Sequence, residues 1–323
     1  MPIFSAILTV AMGVLTPSEP APRPAPAPES GQQAPLRTTT VEFEPWDETP
    51  WPVLEGQAVR DQEVAIGEWV IRLAGLRSST RAPIVPFRTR FLHVGGGLPR
   101  QDMIHMGTVL DRTVQRVHSL MQRPPEEAPF AGRLGLLLVP DRDAFVLLLA
   151  SEFNAYVDSD TVVALQVDGR RAIAIVDASA PRGHIDHQLD RVAVQAYFHA
   201  LHAPQRLPAW ANEGLATAIA WLSVEPASRR GRTEAIAAVR SGFEFGTLFD
   251  LQYVDGTWIA DEQHEARAGL LMERLFSDRP EQLQSWILAV KKGTPWREAF
   301  LEAFDDTPEA LVRWATDYFK VND

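Results

Sequence analysis

The side chains best suited to chemistry lie in residues 187–222, HQLDRVAVQAYFHALHAPQRLPAWANEGLATAIAWL. His199 and His202 stand three apart on a stretch of helical character, and Glu213 follows fourteen residues after His199 on a second such stretch. Imidazoles and carboxylates are the nitrogen and oxygen donors of zinc sites. The best-known arrangement for zinc hydrolysis is His-Glu-x-x-His on a helix. Residues four apart sit one above the other, so two imidazoles converge on one ion. The glutamate beside the first takes a proton from the metal-bound water. His202 shares a helix face with His199 and is a candidate substitute ligand. His184 and His187, with Asp186 and Asp190 close by, form a second cluster ahead of the helix, but its spacing matches no standard zinc pattern. Other chemistries are excluded more directly. There is no cysteine, hence no thiolate site, and no Gly-x-Ser-x-Gly. Gly95-Gly96-Gly97 lacks the following Lys-Ser/Thr of a phosphate loop and reads as a turn.

The elements around these residues follow from periodicity. Residues 89–96 read as a strand ending at the glycines, and residues 101–122 as a helix with its apolar positions on one face. RLGLLLV (133–139) reads as a buried strand, and Asp141 as the cap of a helix over 144–153. Two apolar runs, 161–167 and 171–176, meet at Asp168-Gly169, a strong hairpin signal. Helices over about 187–203 and 209–222 follow, separated by Pro204 and Pro208, and residues 228–319 are mostly helical by period. A small mixed or antiparallel sheet with a hairpin, then a helix pair and a mostly helical C-terminal part, is an α+β arrangement.

PAWANEGLATAIA (208–220) is similar to the Pro-x-Trp-x-x-Glu-Gly-Leu-Ala stretch of secreted bacterial peptidases of the thermolysin-like, or gluzincin, clan. The element order and the closing segments EARAGLLMERLF, LQSWILAVKKGTPWREAFLEAF and LVRWATDYF resemble those domains too, over residues 87–319. The resemblance implies a zincin-like fold with Glu213 at the third-ligand place and His199 at the second histidine. It puts Gln195 at the first histidine and Ala196 at the catalytic glutamate, so His-Glu-x-x-His reads Gln-Ala-Tyr-Phe-His. Active relatives carry a tyrosine near the position of His264 or Glu265, and none stands there. An amide oxygen is a poor zinc donor, and losing a general base costs about 10²–10⁴-fold in rate. The expectation is a degenerate metallopeptidase with no catalytic set intact, no metal, and His199 hydrogen-bonded to Glu213. It would bind a peptide or protein partner. The alternative is a zinc hydrolase with rearranged ligands, His199, His202 and Glu213.

Composition sets the remaining limits. The chain has 323 residues, 46% of them apolar and 23% charged, the proportions of an ordinary globular protein. Its net charge of −11, with basic residues scattered, disfavours nucleic-acid binding. Residues 3–15 are apolar and match the core of a signal peptide or anchor in length. Residues 16–40 alternate proline with alanine and small polar residues, an extended spacer. The expected organisation is therefore a signal or membrane tether (1–15), a linker (16–40), an accessory segment of unknown packing (41–86) and the peptidase-like domain (87–323). Export to the periplasm or cell envelope follows as an expectation. Within the accessory segment, residues 63–76 read as a strand pair or as one strand and a turn.

Overall fold

The computed structural model describes residues 56–76, 86–124, 129–130, 132–157, 161–168, 171–201, 207–222, 226–241 and 262–321. The expected signal, the proline-rich linker and His202 lie outside them. The described elements run α1 (Gln57–Leu76), β1 (Phe87–Arg88), β2 (Leu92–Gly96), α2 (Arg100–Leu120), β3 (Leu134–Val139), α3 (Arg142–Phe153), β4 (Val163–Asp168) and β5 (Arg171–Asp177). Then come α4 (Arg182–Ala200), α5 (Ala209–Trp221), α6 (Pro226–Arg240), α7 (Glu262–Asp278), α8 (Pro280–Lys291), α9 (Trp296–Phe304) and α10 (Pro308–Val321). No helix among the described residues is long and apolar enough to cross a membrane.

The five strands form one mixed sheet in the order β1-β2-β3-β5-β4. The β2/β3 and β3/β5 pairs are parallel, while β1/β2 and the β4/β5 hairpin are antiparallel. Helices cover both faces, which is why the central strands read as unbroken apolar runs. On β3, Leu134, Leu136 and Leu138 join the core shared with α2 and α4, whereas Leu137 and Val139 face the opposite side. There they meet Val70 and Leu73 of α1 and Phe145, Leu148 and Leu149 of α3. The period-two alternation of a strand thus serves two helical layers. The expected cap of α3 is present, with the Ala144 backbone N–H donating to Asp141 Oδ1 over 2.8 Å.

Two expectations are overturned. Residues 63–76 are helix, not strand: Ile66, Val70 and Leu73 are buried at a three-to-four residue period, while Val64 and Ile71 point to solvent. The segment of unknown packing thus contributes a helix laid directly on the sheet. Gly95 of β2 permits that closeness, because a Cβ there would come within 2.7 Å of the Val70 side chain. The HIDH cluster does not precede the motif helix either. Pro181 caps α4, so His184 and His187 sit within it. Proline just outside a helix start costs nothing, since its missing N–H would have had no intrahelical partner.

Candidate functional site

The sheet delivers α4 through a tight turn. Asp177, the last residue of β5, accepts from the Ser179 N–H (3.0 Å) and Ser179 hydroxyl (2.6 Å), and Arg142 reaches its other oxygen at 3.4 Å. From Pro181 onward α4 lies across the core, with Leu189, Ala193, Ala196 and Ala200 fully buried. α5 packs against it, and α7 packs closely on α5. A Cβ on Gly214 would come within 2.6 Å of the Ala268 carbonyl oxygen, so only glycine lets the two backbones meet. That approach brings Glu213 and Glu265, on adjacent helices, to one point.

The point is occupied by a guanidinium. Arg191 Nη2 donates to Glu213 Oε2 and lies 2.8 Å from Glu265 Oε2 as well. Gln195 Nε2 donates to Glu213 Oε1, also over 2.8 Å. Arg191 and Gln195 are one helical turn apart and present both groups on one face. The side chain of Arg191 is only 14% exposed and that of Glu213 17%. Burial pushes the Glu213 carboxyl above its ordinary range and Glu265 adds to this, against the opposing pull of Arg191 and Gln195. Burial also works against the Arg191 cation, but the carboxylates of Glu265 and Glu213 overcome it. The cluster thus holds two carboxylates around one permanent positive charge.

The zinc set implied by the resemblance does not fit these residues. Both oxygens of Glu213 accept hydrogen bonds, and one of the donors is a cation that repels a second cation. Gln195 turns its N–H, not its carbonyl, toward Glu213. Ala196 is 0% exposed and packed in the core, so the catalytic position carries a methyl group facing away from solvent. His199 is half-buried in the last turn of α4. Glu213, instead of standing open, accepts from Arg191 and from Gln195. No group of three metal-binding side chains comes together among the described residues.

The HIDH residues part company around the helix. Asp186 Oδ2 meets His105 Nε2 of α2 at 3.2 Å, and the Thr113 hydroxyl of α2 donates to Asp190 Oδ1. His187 turns with Arg191 toward α6 and α7 instead. Burial, then the charges of Arg191 and His184, lower its pKa to about 4, so it is neutral at ordinary pH. Sequence reasoning missed Arg191 and gave Glu265 no role beyond an absent tyrosine. One signal was available: Arg191 precedes Gln195 by one turn, on the same face as the vacated ligand position.

β4 forms the edge of the sheet beside α4. The Asp177 N–H donates to Val162 O over 2.9 Å, one step beyond the Val163–Val176 pair of the hairpin register. Alternation then turns the backbone groups of Ala164 and Gln166 toward β5, and those of Val163, Leu165 and Val167 outward. Among the described residues no strand pairs with that outer edge.

Comparison with protein-family models finds no match, and comparison with curated proteins finds none either.

Proposed function

We propose that this chain is a non-proteolytic, zincin-like relative of secreted gluzincin peptidases and that it holds an extended peptide or partner segment at the cell envelope. The observation that carries the reading is the clamp on Glu213. The carboxylate that the resemblance assigns to a metal is held by Arg191 and Gln195 at 2.8 Å each, beside an inert Ala196. Binding needs neither metal nor general base. The outward N–H and C=O groups of Val163, Leu165 and Val167 can add a strand by main-chain hydrogen bonds alone. Export, and the tether through residues 1–40, belong to the same proposal.

Metal content tests the first half. The protein is exposed to zinc, freed of excess and measured by elemental analysis, with His199→Ala and Glu213→Ala in parallel. The expected result is far less than one zinc per chain in all three. One tightly held zinc, lost in both variants, would instead establish the hydrolase with rearranged ligands, with His202 the first further residue to test. For the second half, displayed random peptides are selected on the protein and re-bound to Val167→Pro. Val167 is exposed and its N–H points outward, so proline removes one edge donor while leaving the β5 ladder intact. Selected peptides should bind the variant several-fold less tightly. Unchanged binding would sink the edge-strand reading.

A further inference from the structure

α1 covers a histidine that has no place for a second proton. On β2, Leu92 and Val94 join the core on the α2 side, so alternation turns His93 to the other face, under α1. The ring lies in van der Waals reach of the helix, its Cε1 and Nδ1 each 3.5 Å from where a Cβ on Gly67 would stand. His93 is 4% exposed, and its Nε2 is buried without a hydrogen-bond partner. An imidazolium carries an N–H on both nitrogens, so protonation would leave a buried donor at Nε2 with no acceptor. The surrounding charges oppose it as well. Arg88 is the register partner of His93 on β1, and Arg133 stands just ahead of β3. The partner on β3 is Gly135, which brings no charge. Glu63 of α1 favours a cation but is itself 3.4 Å from Arg133. Burial, then Arg88 and Arg133, against the pull of Glu63, lower the His93 pKa from 6.5 to about 4.

α1 is also the element that the rest of the fold can spare. Val70, Leu73 and Ala74 pack with Leu137, Ile173 and Ile175 in the smaller of the two cores. Among the described residues, none of α1 belongs to the larger core that α2, α4, α5 and α7–α10 build on the opposite face. Its ion pairs to other elements are Glu63–Arg133 and Arg72–Glu152, and the Arg72 side chain is 58% exposed, so that pair holds weakly. Lifting α1 gives the His93 ring water and restores its affinity for a proton. Proton uptake and the departure of α1 are therefore coupled: the helix holds fully above pH 6.5 and loses its hold as the pH falls toward 4. We infer that α1 is an acid-released cover, driven off the sheet when His93 takes up a proton while the larger core stays folded. Its release bares part of the apolar face formed by Leu137, Ile173 and Ile175. The inference uses neither the edge of β4 nor the cluster at Glu213.

Amide hydrogen exchange on the full chain, corrected for the chemical exchange rate at each pH, tests it. Protection of the α1 amides around Val70 should fall about 100-fold between pH 7 and pH 4, the change in proton affinity between covered and released His93. At pH 4 it should lie well below that of the α8 amides, which report opening of the larger core. His93→Gln takes up no proton and should remove most of that fall. Arg88→Gln, at an exposed residue of β1, relieves one opposing charge and should shrink the fall several-fold; it carries the test alone if His93→Gln does not fold. Loss of a merely structural contact would instead change protection by the same factor at every pH. Protection of α1 equal to that of α8 throughout would overturn the inference, because α1 would then open only with the whole fold. So would α1 protection that does not fall with acid, or a fall unaltered in the variants.

Discussion

The two sides of α4 bury carboxylates in opposite ways. Toward α5 and α7, Glu213 and Glu265 share the Arg191 guanidinium, and Gln195 supplies a further donor. Toward α2, Asp190 takes the Thr113 hydroxyl and Asp186 takes His105. The first arrangement is built around a charge that no accessible pH removes. The second makes its contacts to α2 through a hydroxyl and an imidazole. Side chains one residue apart on one helix, at 186 and 187 or 190 and 191, have therefore been sent to different tasks. The contrast bears directly on the proposed loss of the metal. A cation is already present on the side where the resemblance would put one, and it comes from the chain itself.

Removing that cation is the harshest way to break the contrast. Arg191→Met leaves two carboxylates facing each other in a largely buried place and should cost about 3–5 kcal/mol, the range for breaking a buried ion pair. Denaturant unfolding measures it. Arg191→Met with Glu213→Gln should recover much of the loss, because the remaining Glu265 then faces an amide. A neutral single variant would mean that packing, not charge, holds the cluster. Gly214→Ala attacks the same side through the backbone. Its Cβ would sit 2.6 Å from the Ala268 carbonyl oxygen, which cannot yield as a side-chain tip would. Pushing α5 from α7 should cost about 2–3 kcal/mol, as overpacking does, and should loosen the Glu213–Glu265 approach while leaving the contacts of Asp186 and Asp190 in place. Thermal melts and a crystal structure of the variant check both parts.

The sequence was readable where periodicity and turn chemistry act locally. The β4–β5 hairpin, the Asp141 cap, the buried strand β3 and the helix pair α4–α5 all followed from spacing, and the α+β class followed from their order. α1 was misread because EVAIGEWVIRL offers apolar residues at both odd and even positions. Only the packing of Val70 and Leu73 on the sheet reveals which of them are buried. The site was legible as far as the residues of one helix pair. Glu213 and Gln195 do meet, at 2.8 Å. What stayed hidden was the partner from α7. Nothing local relates Glu265 to Arg191, which is 74 positions away in sequence. Their meeting depends on Gly214 and Gly269 allowing two helices to touch.

Acid separates the two sides more gently. His187 keeps its neutral form in the fold, with a pKa near 4 against an ordinary 6.5. Between those values the unfolded chain binds a proton that the folded chain does not, so stability rises with pH from about 4 to 6.5 and falls on acidification. The full shift corresponds to about 3 kcal/mol; partial exposure of the ring reduces the expected loss to about 2 kcal/mol. His93, buried in β2 and likewise near 4, contributes a slope of the same sign. The difference between wild type and His187→Gln therefore isolates this residue. Unfolding free energies measured from pH 7 to pH 4 should converge as the pH falls. Parallel curves would remove His187 from the account.

The smallest effect is expected across the helix. His105 is 43% exposed while Asp186, its partner, is 4% exposed. An exposed member of a pair gains little from it, since water solvates the ring almost as well. His105→Ala should cost only about 0.5–1 kcal/mol, because the opening it leaves admits water to the Asp186 oxygen. Asp186 Oδ1 already lies buried without a hydrogen-bond partner. If the loss instead approached that of Arg191→Met, His105 would be sealing Asp186 from solvent rather than merely touching it. The two sides of α4 would then bury their carboxylates equally tightly, and the contrast between a guanidinium and an imidazole would no longer set them apart in strength.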